Sequence, residues 1–195
     1  MKKLVFATHN PDKLKEINQM MPSGFQLLSL EDIGCGEKIP ETADTLEGNA
    51  RIKAAHVWEN YGYDCFADDT GLEVTALQGA PGVYSARYAG PGANASSNMK
   101  KLLTELQNHK DRSGRFRTVI ALVINGQFHF FQGVAQGDII CEPKGSGGFG
   151  YDPIFLPAGF KKTFAELPLE VKNQISHRGI AFKNLSAYLH KMKGQ

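Results

Sequence analysis

Along the chain, short apolar runs alternate with polar stretches in which small and apolar residues return every three or four positions. Lys3 to Ala7 is apolar and β-rich. Asn10-Pro11 follows, an N-cap and a proline suited to a first helical turn, which predicts a strand and then a helix from Pro11 to about Met20. A second strand is expected over Phe25 to Leu30, then a loop carrying Gly34, Gly36, Pro40 and Glu41. From Thr45 to Asn60, Leu46, Ala50, Ala54 and Val57 recur at helical spacing, with Gly62 beyond the end as a stop. Lys53 lies off that stripe, where a lysine is ordinarily solvated. Cys65, Phe66 and Ala67 read as a buried strand, so Asp68 and Asp69 are expected where that strand emerges into a loop.

The second half begins with Gly79 to Gly92, rich in turn formers and aromatics, which reads as an ordered, partly buried loop. A helix is predicted from Ser97 to Asn108, then a polar connection from His109 to Gly114. Arg115 to Ile124 has, in its second half from Val119 to Ile124, the two-sided apolar character of a central strand, and Asn125-Gly126 is a hairpin signal into Gln127 to Val134. Gly145, Gly147 and Gly150 formally satisfy G-x-G-x-x-G, but Pro153 and Pro157 disfavour the helix that a dinucleotide fingerprint requires. The stretch also lacks the G-K-[ST] ending of a Walker A loop. Two readings stay open for it: a mobile hinge ending in Phe149, Tyr151 and Asp152 that closes over a flat ring, or a surface loop whose aromatics pack down. A short helical piece from Leu167 to Ile175 carries Lys172. Ser176 then reads as the cap of a last helix that buries Ile180, Leu185, Tyr188 and Leu189. His177 and Arg178 fall in its first turn, where helix electrostatics prefer acids, so an electron-rich partner is expected opposite them.

Composition narrows the class. A chain of 195 residues fits one domain spanning 1–195, long enough to bury roughly 70% of its unfolded surface. The three cysteines, Cys35, Cys65 and Cys141, are odd in number and show no C-x-x-C spacing. Reduced thiols in a cytoplasmic protein are expected, and neither a disulfide framework nor zinc. The apolar run Leu4 to Ala7 is too short for a signal peptide, and no run approaches membrane-spanning length. The net charge is +2, with Lys and Arg scattered, which argues against broad nucleic-acid binding but leaves room for a few cations to hold one nucleotide.

Four clusters stand in order: Thr8-His9-Asn10-Pro11-Asp12-Lys13, Ala67-Asp68-Asp69-Thr70-Gly71, Gly148-Phe149-Gly150-Tyr151-Asp152-Pro153 and Ser176-His177-Arg178-Gly179. Together with Gly82 to Tyr88, they closely resemble the inosine/xanthosine triphosphate pyrophosphatase family, over essentially the whole chain. The resemblance implies an α/β fold with an elongated mixed sheet flanked by helices, two lobes with the active-site cleft between them, and a homodimer. It implies hydrolysis of ITP, dITP and XTP to the monophosphate and pyrophosphate, with Mg²⁺ as cofactor. Thr8, His9, Asn10 and Lys13 match the triphosphate-binding loop and helix start, and Lys53 and Lys172 match lysines that reach the phosphates. His9 stands where many relatives have a small residue and receives no separate role. Asp69 matches the catalytic carboxylate, Glu41 and Asp69 the metal positions, and Asp68 and Thr70 their support. Phe149, Gly150, Tyr151 and Asp152 match the segment against the base and sugar, and His177 and Arg178 the residues that read the purine 6-oxo group. Two rivals remain: a non-catalytic nucleotide-sensing or RNA-binding protein, and a related pyrophosphatase acting on modified pyrimidine or canonical nucleotides.

Overall fold

The computed structural model describes residues 1–193, with side chains to residue 192. β1 (Lys2–Phe6) leads into α1 (Pro11–Asn18), where the Asn10 side chain accepts from the backbone N–H groups of Asp12 and Lys13. β2 (Phe25–Leu28) and a 3-10 turn (Glu31–Ile33) precede α2 (Leu46–Tyr61). Thr45 caps α2 by accepting from the Gly48 N–H, and the helix stops at Gly62. β3 (Cys65–Val74), the two-residue β4 (Pro81–Gly82) and α3 (Ala95–Glu105) follow. α3 starts two residues before the predicted Ser97 because Asn94 and Ser97 form a reciprocal capping box. β5 (Ser113–Ile124) and β6 (Gln127–Ile139) are joined by Asn125 and Gly126, both at positive φ, as the hairpin signal predicted. The chain ends with β7 (Phe155–Pro157), α4 (Leu169–Ile175) and α5 (His177–Lys193).

The strands form one mixed sheet in the order β2-β1-β3-β5-β6-β7, with β4 on β3. β1 is parallel to β2 and β3, while β3/β4 and β6/β7 are antiparallel. The chain divides into two units. The first comprises Met1–Asp69, Thr118–Gly133 and the chain from Arg178 onward; the second comprises Thr70–Arg117 and Val134–His177.

In the first unit, strand alternation sorts the core into two clusters. Leu4, Phe6, Phe66, Ile120 and Leu122 face Ile17 of α1 and Phe182, Leu185 and Leu189 of α5. Val5, Ala7, Cys65, Ala67, Ala121 and Val123 face Ala50, Ala54 and Val57 of α2. Helices therefore cover both faces of this part of the sheet, giving the α/β layering that the resemblance implied. Each of these large apolar side chains contributes about 1.5–3 kcal/mol by leaving water. The buried stripe of α5 includes Ala181 and Phe182, while Ile180 and Tyr188, predicted to be buried, are only half covered. The second unit has its own core of Leu72, Val74, Leu102, Phe116, Ile139, Phe155 and Phe164. Among the described residues, no helix is long and apolar enough to cross a membrane.

Two expectations are corrected. Asp68 and Asp69 do not lie in a loop: β3 runs on through both to Val74. Charged residues normally end a strand at the core boundary, but here each acid meets buried partners that replace water. Gly71 lets the strand continue against β4, since a Cβ there would lie 2.6 Å from the Gly82 carbonyl oxygen. Lys53 is not solvated either. It is 8% exposed, held by the carboxylates described next.

Candidate active site

Consecutive residues of a strand point to opposite faces, so Asp68 and Asp69 enter different surroundings. Asp68 shares the α1/α5 face with Phe66. Its Oδ1 accepts from Lys13 Nζ at 2.8 Å and its Oδ2 from Arg178 Nε at 3.0 Å. Arg178 in turn donates from Nη1 to Glu16 Oε2 at 2.5 Å. All of Asp68, Glu16 and Arg178 are buried. Burial opposes ionisation of Asp68, yet Lys13 and Arg178 beside it hold its carboxyl well below the usual range. Burial likewise works against the Arg178 charge, and Asp68 and Glu16 more than restore it. Lys13 is lowered, its burial only partly offset by Asp68.

Asp69 shares the α2 face with Ala67. Its Oδ2 accepts from Asn49 Nδ2 at 3.1 Å, and its Oδ1 lies 3.6 Å from Lys53 Nζ. The same ammonium donates to Glu41 Oε1 at 2.5 Å. Burial raises the Asp69 carboxyl above the ordinary value; Lys53 pulls it down and Glu41 pushes it up. Lys53 is raised, because Asp69 and Glu41 outweigh its own desolvation. Two carboxylates thus share one cation, and their all-oxygen donor set is the kind that a hard divalent ion such as Mg²⁺ accepts.

The turn between β1 and α1 is ordered by its own side chains. Thr8 Oγ1 accepts from the Asn10 N–H at 3.1 Å, and Asn10 caps the helix that carries Lys13. His9 is exposed and donates from Nε2 to the Glu37 carbonyl oxygen at 2.9 Å.

In the second unit, Lys172 of α4 donates to Asp152 Oδ2 at 2.6 Å, with both side chains buried. The same oxygen accepts from the Phe149 N–H at 2.8 Å. The Lys172 ammonium lies 5.0 Å from the Phe149 ring centre and 5.8 Å from that of Phe164. Tyr151 is buried and donates from its hydroxyl to the Ser85 carbonyl at 2.8 Å, while Ser85 Oγ accepts from the Leu72 N–H and donates to the Gly82 carbonyl. His177 is buried with its ring stacked on Phe116, centroids 4.5 Å apart. Thr70, on β3, and Gly150 are half-buried.

In the glycine-rich stretch Tyr151 packs down and is buried, and Phe149 is half-buried. The Gly147 N–H donates to the Ala165 carbonyl, and a Cβ on Gly148, which has φ +67°, would lie 2.1 Å from Asp152 Oδ2. These glycines let the backbone close onto Ala165 and around the Asp152 carboxylate, and so fix that side chain.

The structure thus gathers Lys13, Glu41, Lys53, Asp68, Asp69 and Arg178 in the first unit, and Phe149, Asp152 and Lys172 in the second. Sequence reading missed Glu16 and Asn49. Asn49 had a local signal, being one turn before Lys53 on the same helix beside small residues. Glu16 had none, since its partner Arg178 is 162 residues away.

Residues 4–188 match the Ham1 family, and the chain belongs to it. Its relatives include the dITP/XTP pyrophosphatase of Christiangramia forsetii, 58% identical over 97% of this chain and 100% of that protein. That of Flavobacterium johnsoniae is 60% identical over 94% of this chain and 95% of its own. Among solved structures, the HAM1 protein from Coxiella burnetii is 39% identical, with a TM-score of 0.90 over 98% of this chain and 100% of that one.

Proposed function

We propose that this chain hydrolyses dITP, ITP and XTP to the monophosphate and pyrophosphate, and so clears deaminated purine nucleotides from the precursor pool. The relatives' shared name supports the reading. The observation that carries it is Asp69, a buried carboxylate with a raised pKa, held by Asn49 and faced by Lys53 and Glu41. A base of this kind needs a pKa nearer neutrality than that of a free aspartate, and burial supplies the shift.

In this reading Asp69 orients a water and takes its proton as the water oxygen bonds to the α-phosphorus. The bond from that phosphorus to the bridging oxygen breaks, and pyrophosphate leaves. Lys13, Lys53 and Lys172 offset the substrate's negative charge, which is the larger part of catalysis in phosphoryl transfer. Mg²⁺, when bound at Glu41 and Asp69, supplies further neutralisation of phosphate charge. Thr8 and Asn10 order the turn that starts α1 and so place Lys13 for the phosphates, since the Asp12 and Lys13 N–H groups are themselves taken by the Asn10 side chain, and the ring of His9 bears on the fit of the phosphates there.

Phe149, Gly150, Tyr151 and Asp152 serve the base and sugar, and His177 and Arg178 donate to the purine 6-oxo group. Asp68 and Glu16 fix the orientation of Arg178. Adenine presents a 6-amino donor instead. An unsatisfied buried donor costs about 1–3 kcal/mol, so two such conflicts reject ATP by about thirtyfold to twenty-thousandfold. The same reading expects a homodimer in the cytoplasm, a compartment that suits the three free thiols.

The test is release of pyrophosphate from a panel of triphosphates with and without Mg²⁺. Release from dITP and XTP that depends on Mg²⁺ and greatly exceeds that from ATP is the expected result. Binding without cleavage, or equal rates on dITP and ATP, would overturn the reading.

A further inference from the structure

Cys35, Glu37 and His56 lie together in the first unit, beside His9, whose ring donates to the Glu37 carbonyl. One ligand atom from each, a sulfur, a carboxylate oxygen and a ring nitrogen, falls within 4.8 Å of the others. His56 Nε2 is 2.8 Å from Glu37 Oε1, and the Tyr61 hydroxyl donates to both Glu37 oxygens at 2.9 and 3.0 Å. Cys35 is 1% exposed, His56 is half-buried and Glu37 is exposed. The sulfur is therefore anchored in the core, while the carboxylate side is open to an entering ion.

We propose that Cys35, Glu37 and His56 bind a Zn²⁺ ion, with water completing the coordination. The donor set is what separates this place from Glu41 and Asp69. Sulfur, nitrogen and oxygen together suit a borderline-soft ion, whereas Mg²⁺ takes oxygen. Charge also balances. A thiolate, a carboxylate and a neutral imidazole carry two negative charges, which Zn²⁺ cancels. On binding, the Cys35 thiol gives its proton to solvent as the sulfur–zinc bond forms; zinc replaces the proton that His56 Nε2 shares with Glu37, and the imidazole stays neutral by taking a proton at Nδ1 through solvent. Tyr61 stays to orient the carboxylate, as second-shell donors do. No C-x-x-C spacing announces such a site, because Glu37 and His56 are 19 residues apart.

The position gives the ion a task. Cys35 and Glu37 lie on the loop that continues to Glu41, and His56 lies on α2 three residues after Lys53. Zinc here clamps that loop to α2, the two segments whose Glu41 and Lys53 are paired at 2.5 Å.

The test uses the full chain stripped of metal, in excess Mg²⁺, titrated with Co²⁺ as a spectroscopic substitute for zinc. One equivalent should give visible d–d bands of a low-coordinate ion and a near-ultraviolet sulfur-to-cobalt band, and Zn²⁺ should displace both. Cys35→Ser should abolish the sulfur band, His56→Gln should weaken Co²⁺ affinity at least about tenfold, and Asp69→Asn should leave the spectrum unchanged. No sulfur band in the parent, or its survival in Cys35→Ser, would overturn the proposal. Glu37→Gln alters an exposed side chain and leaves the core intact; full Co²⁺ affinity in that variant would overturn it as well.

Discussion

Arg178 donates from Nε to Asp68 Oδ2 at 3.0 Å, joining residues 110 positions apart in the chain, and both side chains are almost wholly buried. With Glu16 and Lys13 the group balances two cations against two carboxylates. Removing one partner of such a group leaves an uncompensated buried charge, a larger loss than the pair's net contribution.

Asp68→Asn should therefore destabilise the protein by about 3–5 kcal/mol, seen as a lower urea midpoint. The pH dependence follows from the depressed Asp68 carboxyl, where Lys13 and Arg178 overcome burial. Its contribution is present above the ordinary aspartate range and is lost as pH falls through the lowered folded value. The parent should lose this contribution in strong acid, and the Asp68→Asn stability curve should be flatter there.

Asp69→Asn should reduce turnover of dITP by about a hundred- to ten-thousandfold, with the far-ultraviolet circular dichroism spectrum unchanged. The amide keeps the shape and the contact with Asn49 but cannot take a proton. A variant within threefold of the parent rate would remove Asp69 from the base role.

Lys172→Met leaves Asp152 buried among Phe149, Phe164 and the glycine-rich loop without its ion pair. A loss of about 3–5 kcal/mol is expected. Adding Asp152→Asn to Lys172→Met should recover part of it, and a double-mutant cycle that gives no coupling would contradict the pairing.

Gly148→Ala should cost at least about 1 kcal/mol, because its φ of +67° disfavours a Cβ. The added methyl also meets the Asp152 carboxylate, so the effect should shrink in an Asp152→Ala background. Comparing the denaturation midpoints of the four proteins checks this.

The thiols should separate by burial. Cys141 is exposed and should react at once with a disulfide reagent in the native protein, whereas Cys35 and Cys65 should wait for unfolding. Burial, with Asp64 nearby, pushes the Cys65 thiol up to about 12. The unfolded thiol ionises near 9.0, so stability is lost as pH rises from there toward the folded value. Cys65→Ala should lessen that alkaline decline in urea titrations.

The local elements are legible in neighbouring residues alone. Asn10-Pro11 announced α1, Thr45 and Gly62 bounded α2, and Asn125-Gly126 turned β5 into β6, since caps and turns depend on a few adjacent residues. The sequence also singled out His177 and Arg178 as cations misplaced at a helix start, and the structure supplies an aromatic face for one and two carboxylates for the other. The environment of the charges, by contrast, depends on contacts between residues far apart in the chain. Asp68 and Asp69 read as a strand end because local pattern treats a carboxylate as solvated. Their burial inside β3 depends on Lys13, Arg178, Asn49 and Lys53, brought from three helices. The same long-range compensation drew Lys53 out of solvent. It also gave adjacent carboxylates, one residue apart on a pleated strand, to opposite faces of the sheet.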